Sequence, residues 1–587
     1  MSETNAAALA GAVLRAVAGP SSDLAPQGRK NGDNIIAMAM APDSAAPRVP
    51  DPAGSEAVVA SELPGEPAAA GTPVAFASEI ELKLLVDADR LTSFNNAPVI
   101  ASNARNKGTR KHLKSVYYDT PKRTLWRNGL TLRVRHSGTR YTQTVKAELE
   151  DDPFRRGEWE AHVPSMAADV ALAMPFIPEK LRPELETQGL EPIFTTDIRR
   201  HQRMVDLPSG AIEVAFDNGV LKAGDRSMPV SEIELELKGG SIDAIYELAQ
   251  RLAEHGQVRP SIRSKSARGF DLAADTPPAA HKPRKVRLDP QIALDDAFAT
   301  ILRACLKHLL VSLPAAEDGR DPEGIHQLRV ALRRLRSALD LMRTVGCLDK
   351  LDALRAEVKW FAGSLSAARE WDIFEKDTLP TVASGCPSVP GFDALGELAE
   401  RRRLAAYEQV RGVLAERRCA TFIIGLAGWI EARGWRSDVA PENLGQLAEP
   451  ATNFARQVLS DVYGKVLKRG RHFKSLSTEQ RHRVRLAVKK LRYVGDFLLP
   501  LYGFGKPARR FADKLASLQE ELGSYNDIAM TTALLSSLDA ETPVGGTARA
   551  AIAGWQAHAI VGTEARLREA WSDFTRTRPP WEKQEEA

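Results

Sequence analysis

The stretch Glu79-Ile80-Glu81-Leu82-Lys83-Leu84 alternates charged and apolar residues without a break. A period of two sends successive side chains to opposite faces, which predicts a strand with one charged and one apolar face. Working outward, the alternation returns in Thr131-Leu132-Arg133-Val134-Arg135, Thr142-Gln143-Thr144-Val145-Lys146 and Glu158-Trp159-Glu160. It returns again in Ile212-Glu213-Val214-Ala215-Phe216-Asp217 and in Glu232-Ile233-Glu234-Leu235-Glu236-Leu237-Lys238, after which one helix, Ile242 to Glu254, is expected. For any single strand, a solvated face laced with cross-strand ion pairs is the simpler reading. Repeated over six segments whose apolar faces also need cover, the pattern favours a closed barrel with a charged lumen and helices packed outside.

The charges inside such a lumen define its chemistry. Guanidinium forks at Arg133 and Arg135 match phosphate oxygens bidentately, and Lys83 and Lys146 add point charges. Clustered carboxylates want hard cations, and Mg²⁺ and Mn²⁺ take oxygen ligands. Both together describe a metal–oligophosphate site. No G-x-x-x-x-G-K-[ST], H-E-x-x-H or G-x-S-x-G is present in the sequence, which removes the P-loop, zincin and α/β-hydrolase readings.

At 587 residues the chain is too long for one ordinary core. With 43% hydrophobic residues, 27% charged residues and a net charge of +4, its balance is that of a globular protein. Cys305, Cys347, Cys386 and Cys419 form no C-x-x-C pair, against a zinc ribbon or disulfide framework and in favour of a reducing compartment. No apolar run reaches membrane-spanning length, the longest candidate being Ala420 to Ile430, and no basic region precedes the Ala-rich N-terminus as a signal peptide requires. A cytoplasmic protein, associated with polyphosphate granules in one reading, is the expectation. Residues 1–75, rich in Ala, Pro, Gly and Ser, read as a disordered tail, 76–271 as the β-rich domain, 272–288 as a Pro-rich basic linker and 289–580 as an all-α domain.

The β-rich domain resembles a known family. Glu79-Ile-Glu-Leu-Lys83 resembles the E-x-E-x-K signature of the CYTH domain, the triphosphate tunnel metalloenzyme superfamily. Tyr117-Tyr118-Asp119-Thr120, Arg133-x-Arg135, Gln143-Thr-Val-Lys146, Arg156-Gly-Glu158-Trp-Glu160, Glu232-Ile-Glu-Leu-Glu236 and Ser264-Lys265 continue the likeness in order. The resemblance implies an eight-stranded antiparallel β-tunnel. It implies that Glu79, Glu81, Glu234 and Glu236 hold the divalent metal. Lys83, Arg133, Arg135, Lys146 and Lys265 would grip phosphates, with Arg199 or Arg200 as further candidates. Glu158, Glu160, Glu213 and Asp217 would complete the catalytic lumen as buried counter-charges, water-positioning groups or partners of the metal's ligands. The superfamily also includes adenylate cyclases and thiamine triphosphatases, so the fold alone leaves the substrate open.

The helical half repeats itself. Glu323-Gly-Ile-His326-Gln-Leu-Arg329 leads into Arg333-Arg334-Leu-Arg336, and Glu479-Gln-Arg-His482-Arg-Val-Arg485 leads into Lys489-Lys490-Leu-Arg492. From each histidine the cations stand at offsets 3, 7, 8 and 10, and all but offset 8 share about a quarter of the helix circumference. Downstream, Leu365-Ser-Ala-Ala-Arg369-Glu-Trp-Asp372 is echoed by Leu522-Gly-Ser-Tyr-Asn526-Asp527, so two helical bundles are expected to stack. Cations on one helix face repel unless something anionic lies against them, and duplication weighs against a merely solvated face. No aromatics interleave as a nucleic-acid stacking platform needs, so nucleic acid is disfavoured against a bare phosphate chain. This half resembles the CHAD domain, a conserved-histidine α-helical module, which implies polyphosphate binding by His326, Arg329, Arg333, Arg334, Arg336, His482, Arg485, Lys489, Lys490 and Arg492.

Two functions follow. One is an inorganic triphosphatase (a tripolyphosphatase, a phosphoric anhydride hydrolase) using Mg²⁺ or Mn²⁺, with a polyphosphate-binding helical appendage. The other is a non-catalytic polyphosphate-binding protein. Retention of both carboxylate pairs favours the enzyme, because binding alone needs only cations.

Overall fold

The computed structural model describes residues 80–148, 156–346, 349–503, 505–539 and 545–582. The expected tail and Glu79 therefore lie outside the described residues.

The N-terminal domain is a wholly antiparallel sheet of strands β1 (Glu81–Leu85), β2 (Thr109–Asp119), β3 (Leu130–Ser137), β4 (Arg140–Glu148), β5 (Arg156–Val163), β6 (Glu191–Leu207), β7 (Gly210–Ala223), β8 (Arg226–Gly240) and β9 (Arg259–Ser261). Its order is β5-β4-β3-β2-β6-β7-β8-β1-β9. Nine strands stand where eight were expected, the ninth being a three-residue edge piece against β1. No pairing joins β5 to β9 among the described residues, so the sheet has two edges instead of forming a closed ring. It nevertheless curls, since the Arg135 guanidinium on β3 lies within electrostatic reach of Arg200 on β6 and Glu234 on β8.

Parity of the strands decides which side chains go where. Leu82, Leu84, Ile212, Val214, Phe216, Ile233 and Leu235 are buried beneath helix α1 (Asp243–His255), which packs on the outer face of β7 and β8. A second helix, α2 (Lys265–Ala274), capped by Ser264, packs on the inner face. There Phe270 joins Tyr117, Phe194, Leu221 and Val230 in a separate apolar cluster. Gly269 lets the helix lie flat on Phe194, because a Cβ there would fall 2.1 Å from the ring. The expectation that all helices pack outside is thus corrected, as α2 fills part of the concavity.

The helical domain comprises α3 (Leu294–Asp318), α4 (Glu323–Met342), α5 (Asp349–Ser364), α6 (Ser366–Ile373), α7 (Phe392–Ala415), α8 (Arg417–Glu431), α9 (Ala451–Arg469), α10 (Thr478–Leu498), α11 (Lys506–Asp539) and α12 (Gly546–Arg576), besides short turns. A capping box between Ser477 and Gln480 starts α10. By length and composition α3 could cross a membrane, but 61% of its most apolar window is buried inside the protein, as befits a central helix.

The two domains share one core. Leu248 and Leu252 of α1 and Ile423 and Leu426 of α8 belong to the same buried cluster. The Gln250 side chain donates to the Thr421 carbonyl at 2.9 Å, and Arg259 pairs with Glu317 at 2.6 Å. The segment expected to be a linker is pinned between the domains: Val286 and Leu288 are buried, and the His281 carbonyl accepts from His308 Nε2 at 3.1 Å.

His308, 4% exposed, is held neutral, because burial and the neighbouring Arg334 guanidinium push its pKa down to about 4. The unfolded chain takes up this proton near the ordinary imidazole value of 6.5, before the folded one does. Stability from this group is therefore complete above that pH and is lost as pH falls toward 4, by about 3 kcal/mol in all. Denaturation midpoints measured across this window should fall less in His308→Gln than in the parent protein. An equal slope in both would place the acid sensitivity elsewhere.

Candidate functional site

On the inner face, three strands bring carboxylates into rows. In the first row Glu81 on β1, Glu236 on β8 and Glu213 on β7 are direct cross-strand partners. In the next, Lys83 faces Glu234, and beyond them Glu232 faces Asp217. The two ends of this array differ in charge balance.

At the end covered by α2, acids and bases neutralise one another. Asp217 and Glu232 are fully buried. The Lys265 ammonium contacts Asp217 at 2.6 Å, Glu232 at 2.5 Å and Glu234 at 2.9 Å, which occupies its three donors. Arg200 forks onto Asp217 with two 2.7 Å bonds and also reaches Glu234, while Arg268 pairs with Glu232. Lys83 contacts Glu234 at 2.9 Å and Glu81 at 3.0 Å. Burial works against the Glu234 charge, but Lys265, Lys83 and Arg200 outweigh it and hold the carboxyl well below its usual range. Although Asp217, Glu232 and Glu234 converge within 4.8 Å, a cation entering there would have to displace the Lys265 ammonium.

The first row is different. Glu213 makes no ion pair or hydrogen bond among the described residues, and Glu236 contacts only the half-exposed Lys238. Burial pushes the Glu236 carboxyl up, Lys238 opposes this, and Glu213 and Glu81 push it further up. Three neighbouring carboxylates with a shortage of counter-charge offer oxygens of the kind a hard divalent cation takes, although among the described residues only Asp217, Glu232 and Glu234 have oxygens converging within 4.8 Å.

Across the concavity β3 and β4 carry groups of the opposite sign. Arg135 is half-buried, and among the described residues its guanidinium makes one hydrogen bond, from Nε to Ser115 Oγ at 3.3 Å. Burial and the Arg133 guanidinium push its pKa down to about 10, against the opposing pull of Tyr117. Arg133, 8% exposed, donates to Thr144 Oγ1 at 3.2 Å, and the nearest Glu160 oxygen stands 3.8 Å away. Burial would raise the Tyr117 phenol, but Arg133 and Arg135 more than offset it and lower it instead. Lys146 is half-buried and stands opposite Glu158 in the β4–β5 register.

Several expectations are thereby corrected. Arg199 is exposed on the outer face and only Arg200 points inward, because adjacent strand residues have opposite parity. Lys265 is saturated by carboxylates and has no donor left for phosphate. Both oxygens of Glu234, expected to bind metal, are engaged by Lys83, Lys265 and Arg200, while Glu213, expected as a counter-charge, completes the acidic row. Asp217, by contrast, is a fully buried counter-charge of Arg200 and Lys265, one of the parts expected of it. Arg268 and Tyr117 had no assigned role. Arg268 follows Ser264-Lys265 by one helical turn, and that spacing is the signal that could have found it.

In the helical domain, α4 and α10 pack together, with Arg333 Nε donating to the Tyr493 hydroxyl at 2.9 Å. His326, Arg329 and Arg333 share a half-buried face with Arg369 of α6. Burial, Arg369, Arg333 and Arg329 lower the His326 pKa, with Glu323 opposing. Arg329 is partly committed, donating to the Ala362 carbonyl at 2.8 Å and Ser366 Oγ at 2.9 Å. Arg334, at offset 8, turns away from the stripe into the core, 5% exposed and stacked over Phe497 at 5.3 Å. Arg485 is likewise buried; Arg336, His482 and Lys490 are exposed, Lys489 is half-buried, and Arg492 sits 3.5 Å from Asp496. Asp372 is a fully buried partner of Arg403 and Tyr407, so its role is structural. The side chains of Asn526 and Asp527 lie outside the described residues.

Two family models match the chain: the CYTH domain over residues 77–270 and the CHAD domain over residues 300–536. Over 162 residues the chain is 30% identical to an inorganic triphosphatase of Haemophilus influenzae, covering 28% of this chain and 46% of that protein. An uncharacterized protein of Mycobacterium tuberculosis is 26% identical over 289 residues, 45% of this chain and 52% of that protein. The chain thus spans about half the length of the curated relatives it matches. Among solved structures, the CHAD domain from the plant Ricinus communis is 30% identical, covering 51% of this chain and 98% of that one at a TM-score of 0.45. The chain therefore belongs to the proteins in which a CYTH domain is followed by a CHAD domain.

Proposed function

We propose that the CYTH domain hydrolyses inorganic triphosphate or short polyphosphate with Mg²⁺ or Mn²⁺, in the cytoplasm, and that the CHAD domain binds polyphosphate. The observation that carries this reading is the charge separation on the inner face. A carboxylate row short of cations (Glu81, Glu213, Glu236) faces the guanidinium of Arg135, which is crowded by the like charges of Arg133 and Arg200. A metal-bound phosphoanhydride supplies both missing charges at once. The inorganic triphosphatase of Haemophilus influenzae supports the same choice of substrate.

In this reading Glu81, Glu236 and Glu213 hold the ion. When bound, such an ion neutralises phosphate charge and stabilises the leaving oxygen. Arg133 and Arg135 orient the phosphate chain and stabilise charge on its equatorial oxygens. Tyr117, whose phenol they hold below its ordinary pKa, keeps the two forks in place. Lys83 ties Glu81 to Glu234 and so fixes the acidic row against the neutralised cluster behind it. A purely polyphosphate-binding domain would have no use for the under-neutralised row, which is why the enzyme is preferred. Phosphate release from tripolyphosphate, with and without Mg²⁺ or Mn²⁺, decides between the two.

Glu81→Gln and Glu236→Gln should each lower metal-dependent phosphate release at least a hundredfold and raise the half-saturating metal concentration, with the melting temperature little changed. Turnover at the parental rate would remove these residues from the ion site.

Arg135→Ala should cost about 2–4 kcal/mol in transition-state stabilisation, read from kcat/KM for tripolyphosphate. Arg135→Lys should recover only part of it, because an ammonium cannot reproduce the fork. Full recovery would mean that the arginine contributes field alone.

For the helical domain, Arg329→Glu with Arg333→Glu in the full chain should remove most binding of long-chain polyphosphate, measured by fluorescence anisotropy. Tripolyphosphate turnover should be unaffected. Retained binding would separate polyphosphate from the α4 stripe.

A further inference from the structure

The segment between the two domains carries Lys282, Arg284, Lys285 and Arg287, all exposed. None of the four takes part in an ion pair or hydrogen bond among the described residues. Some exposed arginines elsewhere are matched, Arg320 with Asp318 and Arg418 with Glu357, and others stand singly, as Arg336 and Arg417 do, whereas here four cations fall within six consecutive residues. Yet this segment is no loose tether. Val286 and Leu288 are buried in the shared core, the His281 carbonyl is held by the buried His308, and Pro283 restricts the backbone between these anchors. Four like charges fixed this closely repel one another, and ordering them costs free energy unless an anion lies against them.

The strap also has a direction. At its start, His281 lies within electrostatic reach of Asp271 on α2, the helix that carries Lys265 and Arg268 into the CYTH concavity. Further along, Lys285 lies within reach of Asp496, the partner of Arg492 on α10, at the end of the second CHAD stripe. From His281 to Leu288 the chain can cover at most roughly 25 Å. The strap and the α10 stripe are separate elements, so a ligand lying on both would be a longer chain than three linked phosphates.

We propose that Lys282, Arg284, Lys285 and Arg287 form a second polyanion site, which takes long-chain polyphosphate and continues the CHAD stripe toward the CYTH domain. This rests on the reading that the CHAD domain binds polyphosphate. Between Thr276 and Asp289 the strap has no Phe, Tyr or Trp to stack a base, so the ligand is a bare phosphate chain in preference to RNA.

The test uses the full chain with Lys282→Gln, Arg284→Gln, Lys285→Gln and Arg287→Gln combined. Labelled long-chain polyphosphate is titrated by fluorescence anisotropy over a series of salt concentrations, beside an RNA oligomer of equal charge. The variant should bind polyphosphate at least tenfold more weakly at moderate salt. The slope of log affinity against log salt should be shallower by about 2–3, as expected when about four cations no longer release counterions. Tripolyphosphate turnover and the melting temperature should match the parent. Parental affinity and slope in the variant would overturn the strap site while leaving the CHAD reading intact, provided the Arg329→Glu, Arg333→Glu protein loses binding. If the parent protein itself fails to bind polyphosphate, the CHAD reading falls and the strap with it. RNA that binds as tightly and weakens by the same factor would overturn the assignment to polyphosphate.

Discussion

The burial of Asp217 and Glu232 is the constraint on which the CYTH domain depends. Removing a carboxylate from water costs several kcal/mol even after relaxation, and only close, well-aligned cations offset it. Lys265, Arg200 and Arg268 supply that charge, and two of them arrive on one helix. The helix can deliver them only by lying on the inner face, which is why α2 departs from the outer layer. Gly269 against Phe194 and the stacking of Phe270 on Trp126 give it an apolar seat there. Breaking such a network by removing one partner typically costs 3–5 kcal/mol, because the remaining charge stays buried.

Neutrality at that end creates the site at the other. With Lys83, Arg200, Lys265 and Arg268 all committed to carboxylates, the lumen's remaining charge separates into an acidic row on β1, β8 and β7 and a basic pair on β3. Neither can relax the other, because the rigid strands between hold them apart. Charges of opposite sign fixed on separate strands are prepaid electrostatic organisation.

The CHAD domain follows a similar logic with less tension. Asp372 is buried but matched by Arg403 and Tyr407, and Arg334 exchanges the surface for a stack on Phe497. Offset 8 in the His326 motif therefore serves packing, while in the second copy Lys490 remains exposed at the same offset. Duplicated sequence has not produced duplicated environments, since α4 is more deeply enclosed than α10. The shared core under α1 and α8 makes the two domains one packed unit, so the strap between them inherits a fixed course.

Much of this was legible in the chain alone. Period-two alternation fixed strand parity, and parity placed Glu81, Lys83, Arg133, Arg135, Glu213, Glu234 and Glu236 on one face, because the pleat admits no other arrangement. The long strands β2 and β6 were harder to see: their charged middles, such as Arg199-Arg200-His201-Gln202-Arg203, lack an apolar alternate to set the phase. Helical spacing likewise placed His326, Arg329 and Arg333 on one stripe. What the sequence could not decide was pairing. Whether a lumenal carboxylate meets a lysine, an arginine or another carboxylate depends on strand register and on where α2 docks, contacts made between residues far apart in the chain. Charge type and facing are local properties that a sequence carries by itself. Charge balance, which separates the acidic row from the neutralised cluster, is a sum over neighbours that only the tertiary structure brings together.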